Sequence, residues 1–292
     1  EVLRTRLVRL GLGARTFFWA SGFISFFLSA LIDNLTTVLV MSGVILAVGK
    51  GNPRFIAISC VNIVVAANAG GAFSPFGDIT TLMVWQDGQV RFEQFFALLL
   101  PSLVNYVVPA VFMSLAIGNG SLEGEAEEVR LRPGAIAIIA LFGLTIALAV
   151  TFHNFLHLPP FMGMMTGLAY LKLFGYYLRR THVPTPADVS GYGSAGDVEP
   201  FDSFREVSKA EWDTLLFFFG VIMSVGGLAF IGYLEHVSTW LYLELGPTTA
   251  NVLVGIASAV IDNIPVMVAV LNMEPQMDLQ QWLLVTLTAG TG

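Results

Sequence analysis

Apolar residues fill this chain in long blocks separated by short polar joints. Residues 17–48, 55–85, 95–117, 135–152, 161–177, 215–234 and 247–273 are predominantly apolar, and an eighth block opens at Trp282. A helix needs about 20 apolar residues to cross a hydrocarbon core near 30 Å thick. The pattern predicts an all-α polytopic membrane protein. Three blocks carry polar residues deep inside: Asp33-Asn34 in the first, the string from Asn68 to Asp78 in the second, and Asp262-Asn263 in the seventh. Residues 179–210, rich in Pro, Gly, Ser and Asp, read as a solvated loop.

Block 17–48 is too long for one upright span, since 32 residues of helix would measure about 48 Å. Both flanks are basic, with Arg4, Arg6, Arg9 and Arg15 before it and Lys50 and Arg54 after it. A re-entrant hairpin with its tip at Asp33-Asn34-Leu35-Thr36-Thr37 satisfies length and charge together. Threading the later blocks from that start puts 13 of the 14 Lys and Arg residues on the cytoplasmic side, leaving only Arg91 outside.

Composition narrows the class. The chain is 55% hydrophobic and 12% charged, about half the charge of a soluble domain. A net charge of −7 without a basic patch excludes a nucleic-acid binder. The single cysteine, Cys60, gives no disulfide or zinc framework. No Gly-rich loop carries the Lys of a phosphate site, so neither ATP use nor another cofactor is expected.

Ser29-Ala-Leu-Ile-Asp-Asn34 and Ser258-Ala-Val-Ile-Asp-Asn263 agree at five of six positions. In the threading above the second hairpin enters from the opposite face. This predicts inverted repeats, with two re-entrant helical hairpins and discontinuous transmembrane helices that meet near the midplane. Gly70, Gly71, Pro75 and Gly77 break the helix that follows the first hairpin. Thr288-Ala-Gly-Thr-Gly292 begins an equivalent break in the second repeat.

Intramembrane acids cost about 2.5–3.5 kcal/mol each at mid-bilayer, which makes Asp33, Asp78 and Asp262 functional candidates. Asp33, Asn34, Thr36, Thr37, Asn68, Ser74, Asp78, Thr80 and Thr81 offer the oxygen ligands that hard cations such as Na⁺ prefer. Desolvation favours a protonated carboxyl and a bound cation favours the ionised one, so a buried Asp sets proton and cation in competition. Asp33 and Asp78 are the expected pair. Asp262, with Asn263 beside it, is either a second site or a hydrogen-bond acceptor at the second tip.

Ile32-Asp-Asn-Leu-Thr-Thr37, Asn68-Ala-Gly-Gly-Ala-Phe-Ser-Pro-Phe-Gly-Asp-Ile-Thr-Thr81 and Ile261-Asp-Asn-Ile-Pro265 resemble the NhaD-type Na⁺/H⁺ antiporters of the ion transporter superfamily. The resemblance implies scaffold and transport parts, a homodimer, and export of Na⁺ or Li⁺ against protons. The implied location is a bacterial inner membrane. Arsenite permeases and divalent-anion symporters share the architecture, so an anion or oxyanion carrier is the alternative. A non-transporting membrane scaffold is a third reading. Ile79-Thr80-Thr81 after Asp78 departs from the arsenite-permease pattern, and an Asp-Asn tip departs from that of the anion symporters.

The expected organisation is a basic lead-in at 1–16 and a first transport part at 17–90, comprising hairpin 17–48 and broken helix 55–86. An interfacial helix and scaffold helices follow at 91–178, then the cytoplasmic loop at 179–210. A second scaffold helix occupies 211–245, and the second hairpin with the start of a broken helix occupies 246–292. Neither end carries a signal peptide or polar tail, and the chain reads as a piece of something longer.

Overall fold

The computed structural model describes residues 13–49, 51–118, 134–181 and 212–292. The lead-in at 1–12, an acidic stretch at 119–133 and the loop at 182–211 lie outside the described residues. The regular elements are helical. They are α1 (Ala14–Ile32), α2 (Asn34–Val48), α3 (Pro53–Gly71), α4 (Ile79–Gln86), a 3-10 turn (Phe92–Leu98) running into α5 (Leu99–Leu115), α6 (Ala135–Leu156), α7 (Pro160–Thr181), α8 (Trp212–Phe230), α9 (Tyr233–Ser238) with a π-helical turn (Thr239–Glu244), α10 (Pro247–Ser258), α11 (Asn263–Met273) and α12 (Leu279–Thr291). They form two compact units, residues 1–130 with 220–292 and residues 131–219.

In the first unit the chain doubles back at Asp33. Near the start of α1, Phe17 meets Phe55 edge-on at 6.4 Å between ring centroids. Gly49, just past α2, also lies against Phe55, whereas Asn34 reaches Gly71 at the far end of α3. So α1 runs parallel to α3 and α2 returns antiparallel. The reversal occupies one residue, and Asp33 takes φ 104°, a conformation uncommon outside glycine. Helix α3 then begins cleanly because Pro53 fits the first turn and Asn52 Oδ1 accepts the Phe55 N–H at 3.0 Å.

Small residues let α1 and α3 approach closely, as helices in lipid commonly do. Ser21, Ser25 and Ser29 are fully buried along α1. Gly70 of α3 sits directly on the Phe26 carbonyl, leaving no room for a side chain. Helix α5 runs antiparallel to α1, with Arg15 donating to the Ser114 carbonyl at 3.1 Å and the Tyr106 ring 5.5 Å from that of Phe23. Phe26 stacks on Phe73 at 5.3 Å and on Tyr106 at 5.8 Å, and Phe76 meets Trp85 at 5.6 Å. Rings from α1 and α4 thus pack against Phe73 and Phe76 of the irregular segment 72–78.

In the second unit α6 and α7 form an antiparallel pair. Gly163 and Gly167 of α7 lie against Ala149 and Thr145 of α6, and Gly134 lies against Leu178. Away from that seam the side chains are apolar and uncovered: Ile136 is 75% exposed and Phe155 78%. Contiguous apolar surface of this kind suits hydrocarbon and not water.

Among the described residues, five helical stretches are long and apolar enough to cross a membrane: Ala14–Ile32, Pro53–Gly71, Phe92–Leu115, Ala135–Leu156 and Trp212–Phe230. Asn34–Val48 and Asn263–Met273 are apolar but shorter. The chain is a multi-pass membrane protein.

The seam between α1 and α3 generates a prediction. Gly70→Ala sets a methyl group against a backbone carbonyl that no rotamer change can move. We expect it to destabilise the protein by about 1–3 kcal/mol, seen as a lower Tm in detergent. Gly43→Ala, where a Cβ meets open space, is expected to leave Tm unchanged.

Candidate ion-binding site

The site is built on helix ends. Helix α3 stops at Gly71, and tight turns carry the chain through 72–78, with Gly77 N–H donating to the Ser74 carbonyl at 3.1 Å. Pro75 offers no N–H and cannot continue a helix. Gly71 and Gly77 pass so closely that a Cβ on Gly77 would stand 2.5 Å from the Gly71 Cα. Helix α4 then restarts at Ile79, with Asp78 Oδ1 accepting the Thr80 N–H at 3.1 Å. The Thr81 hydroxyl donates to the carbonyls of Ser74 at 2.9 Å and Asp78 at 2.7 Å, pinning the break to the new helix. Ser74 is itself buried, and its Oγ accepts the Phe76 N–H at 3.2 Å.

The first hairpin tip meets this break through Asn34. Ser29 Oγ donates to Asn34 Oδ1 at 2.6 Å, which turns the amide so that Nδ2 donates to Asp78 Oδ2 at 3.2 Å. Asp33 faces its own helix: Oδ1 accepts the Thr36 N–H at 2.9 Å and Oδ2 the Thr36 hydroxyl at 2.7 Å. Asp33 is half-buried and Thr36 exposed. Thr37 is fully buried, and its hydroxyl finds no partner among the described residues. Asn68 is half-buried near the end of α3.

The second tip repeats the arrangement. Ser258 Oγ donates to Asn263 Oδ1 at 2.8 Å and lies 2.6 Å from the Ala289 carbonyl, and Asn263 Nδ2 donates to the Gly290 carbonyl at 3.1 Å. Asp262 is exposed and caps α11 by accepting the Ile264 N–H at 2.9 Å, with Pro265 half-buried in the first turn. The two tips converge at one locus. A Cβ on Gly290 would stand 2.9 Å from Thr80 Oγ1 and 3.4 Å from Asp78 Oδ2.

Of the residues singled out from the sequence, the structure gathers Asn34, Asp78 and Thr80 at this locus, with Asn263 one hydrogen bond behind it. Gly70, Gly71, Pro75 and Gly77 shape the break, while Asp33 and Asp262 serve as helix caps at the tips. Two contributors carried no role in the sequence reading, Ser29 and Ser258; Gly290 lies in the stretch expected to break, but there α12 stays helical through Thr291. The serines open the two repeated hexapeptides, so the repeat itself held the signal. What converges is one carboxylate with hydroxyl, amide and carbonyl oxygens, a donor set suited to a hard monovalent cation or a proton.

Apolar helices whose polar ends converge at one locus are the arrangement expected of membrane transporters. Residues 1–290 match the citrate transporter family, CitMHS, and the chain belongs to that family. The whole chain is 54% identical to the Na⁺/H⁺ antiporter NhaD of Vibrio parahaemolyticus, covering 73% of it, and 53% identical to that of Vibrio cholerae serotype O1, covering 63%. Sodium/proton antiporter 1 of Arabidopsis thaliana is 30% identical over 95% of this chain, which covers 48% of that relative. These relatives are transporters and not enzymes. The chain thus spans less than two thirds of several relatives it matches.

Each lost hydrogen bond at these junctions is worth about 0.6–1.5 kcal/mol. Ser258→Ala frees both Asn263 Oδ1 and the Ala289 carbonyl. Ser29→Ala frees only Asn34 Oδ1. Thermal unfolding in detergent is expected to place Ser258→Ala below Ser29→Ala, and both below the parent.

Proposed function

We propose that this protein exchanges Na⁺ or Li⁺ for H⁺ across a bacterial inner membrane, as a homodimer, by alternating access. The observation that carries this reading is the Asp78 carboxylate. Oδ1 caps α4, while Oδ2 accepts from the neutral amide of Asn34 beside the Gly290 backbone and Thr80. A carboxylate so placed holds either a proton or a small cation, and binding one releases the other. The relatives named as Na⁺/H⁺ antiporters support the same cargo.

In this reading α1–α2 and α10–α11 are re-entrant hairpins that approach from opposite faces as inverted repeats. Asn34, Thr80 and backbone oxygens of the breaks complete the cation's shell. Asp33, Thr36, Thr37, Asn68, Ser74, Thr81, Asp262 and Asn263 shape the two tips and their surroundings. The break at 72–78 and the end of α12 supply carbonyls and helix-end dipoles.

The family's description favours a second reading, an anion such as citrate as cargo. The charge at the locus opposes it. Among the described residues, those that meet there carry one negative charge and no positive one, whereas a tricarboxylate would need cationic partners.

The test uses full-length protein in inverted membrane vesicles. Asp78→Asn is expected to reduce Na⁺-dependent proton release to the level of vesicles without the protein. Purified Asp78→Asn is expected to lose ²²Na⁺ binding. Undiminished exchange in that variant, or sodium-independent citrate uptake by the parent, overturns the reading.

A further inference from the structure

Between α1, α3 and α5 lies a group of polar atoms that the site above does not use. Ser59, Asn62, Ser102 and Tyr106 are all fully buried. Ser59 Oγ, Ser102 Oγ and Asn62 Oδ1 have no hydrogen-bond partner among the described residues. Asn62 Nδ2 donates to the Phe18 carbonyl at 3.1 Å. The Asn62 amide and the Tyr106 hydroxyl converge over Gly22, where a Cβ would collide with both. Buried polar atoms without protein partners are rare, and ordered water is their usual complement.

Their order along the helices gives the group a direction. Ser59 and Asn62 are one turn apart on α3, and Ser102 and Tyr106 are one turn apart on α5. Because α5 runs antiparallel to α1 and α3, Ser59 lies toward the Arg15 end and Ser102 toward the hairpin tip. The four polar side chains therefore string out over about 10 Å, at 1.5 Å of rise per residue. On the tip side follow Ser29 and then Asn34, which is already bonded to Asp78.

We infer that this interface binds a short file of water that delivers protons to the Asp78 site from the Arg15 end. Each water in the file accepts a proton on one side and releases one on the other; the last water, and not the Asn34 amide, which keeps its N–H protons, hands the proton to the Asp78 carboxylate, and the net event is its protonation. The water site stands on the buried polar atoms alone, and its role as a proton route rests on the antiport reading above. The cation then needs a different way in, because a file one water wide between packed helices is too narrow for a hydrated ion.

Two readouts on full-length protein test this. In X-ray radiolytic labelling of detergent-purified protein, hydroxyl radicals form where water is bound. Tyr106 is expected to be oxidised at least fivefold faster than Phe17, after correction for intrinsic reactivity. Phe17 is equally buried but packed on Phe55. Ser102→Val is expected to cut Tyr106 labelling severalfold. It should also slow Na⁺-dependent proton release at least tenfold while ²²Na⁺ affinity stays within twofold. Ser102→Thr, of similar volume but with a hydroxyl, should restore both rates. Tyr106 labelling no faster than that of Phe17 overturns the water site. Labelling that persists with an unchanged exchange rate in Ser102→Val overturns the proton route. A parent protein that binds no ²²Na⁺ overturns the antiport reading and the proton route with it, while the labelling still decides the water site.

Discussion

The hydrogen bond from Asn34 Nδ2 to Asp78 Oδ2 joins the tip at Asp33 to the break at 72–78, two places where the backbone abandons helical form. Irregular backbone inside hydrocarbon is tolerated only when its N–H and C=O groups find partners in the protein. At the break, Asp78 and Thr81 supply those partners from the restarting helix, and at the tip the Asp33 carboxylate does so. The two repairs are local until Asn34 ties them together. That tie depends on how closely α1 approaches α3. With Gly70 resting on the Phe26 carbonyl, the tip arrives beside Gly71. One added methyl group at that seam would hold the tip away from the carboxylate it contacts.

The second tip solves the same problem with less charge. Asn263 takes the place of Asn34, and Ser258 the place of Ser29, but the amide donates to the Gly290 carbonyl and not to a carboxylate. The end of α12 then backs onto Thr80 and Asp78, so the two junctions share a wall. The result is a locus with two similar halves and a single negative charge. Two facing carboxylates would repel each other and make one of them harder to ionise. One carboxylate among neutral oxygens is balanced by one monovalent cation or one proton.

Much of this was legible in the sequence. The block lengths, the basic flanks of residues 17–48 and the two hexapeptides follow directly from membrane thickness and charge sidedness. At the candidate site, the sequence pointed one residue away from the contact the structure shows. Pairing Asp33 with Asp78 is natural when only charge is considered, yet the contact to Asp78 comes from the neighbour, Asn34. The difference arises at the φ of 104° at Asp33, which reverses the chain within one residue and presents the next side chain to the break. No periodicity rule encodes that turn. The Ser-to-Asn contact spans five residues across a reversal, outside the three- and four-residue spacings that helical reasoning searches. Gly290 lies far from Asp78 in sequence, and only the folded chain reveals that the two meet.

The helix caps also decide which acid can hold an ion without unmaking its own helix. Asp33 uses one oxygen on the Thr36 N–H and the other on the Thr36 hydroxyl. A cation there would have to displace the cap or share an oxygen with it. Asp78 spends one oxygen on its cap and offers the other to an amide N–H, a neutral donor that a cation can replace at small electrostatic loss. The positive end of α4 already favours the ionised carboxylate, while burial opposes it. In the antiport reading proposed above, these opposing influences on one side chain are what would set proton and cation in competition. Asp262 differs in kind: it is exposed, and its Oδ1 caps α11 by accepting the Ile264 N–H, and among the described residues no second-repeat carboxylate stands where Asp78 stands in the first.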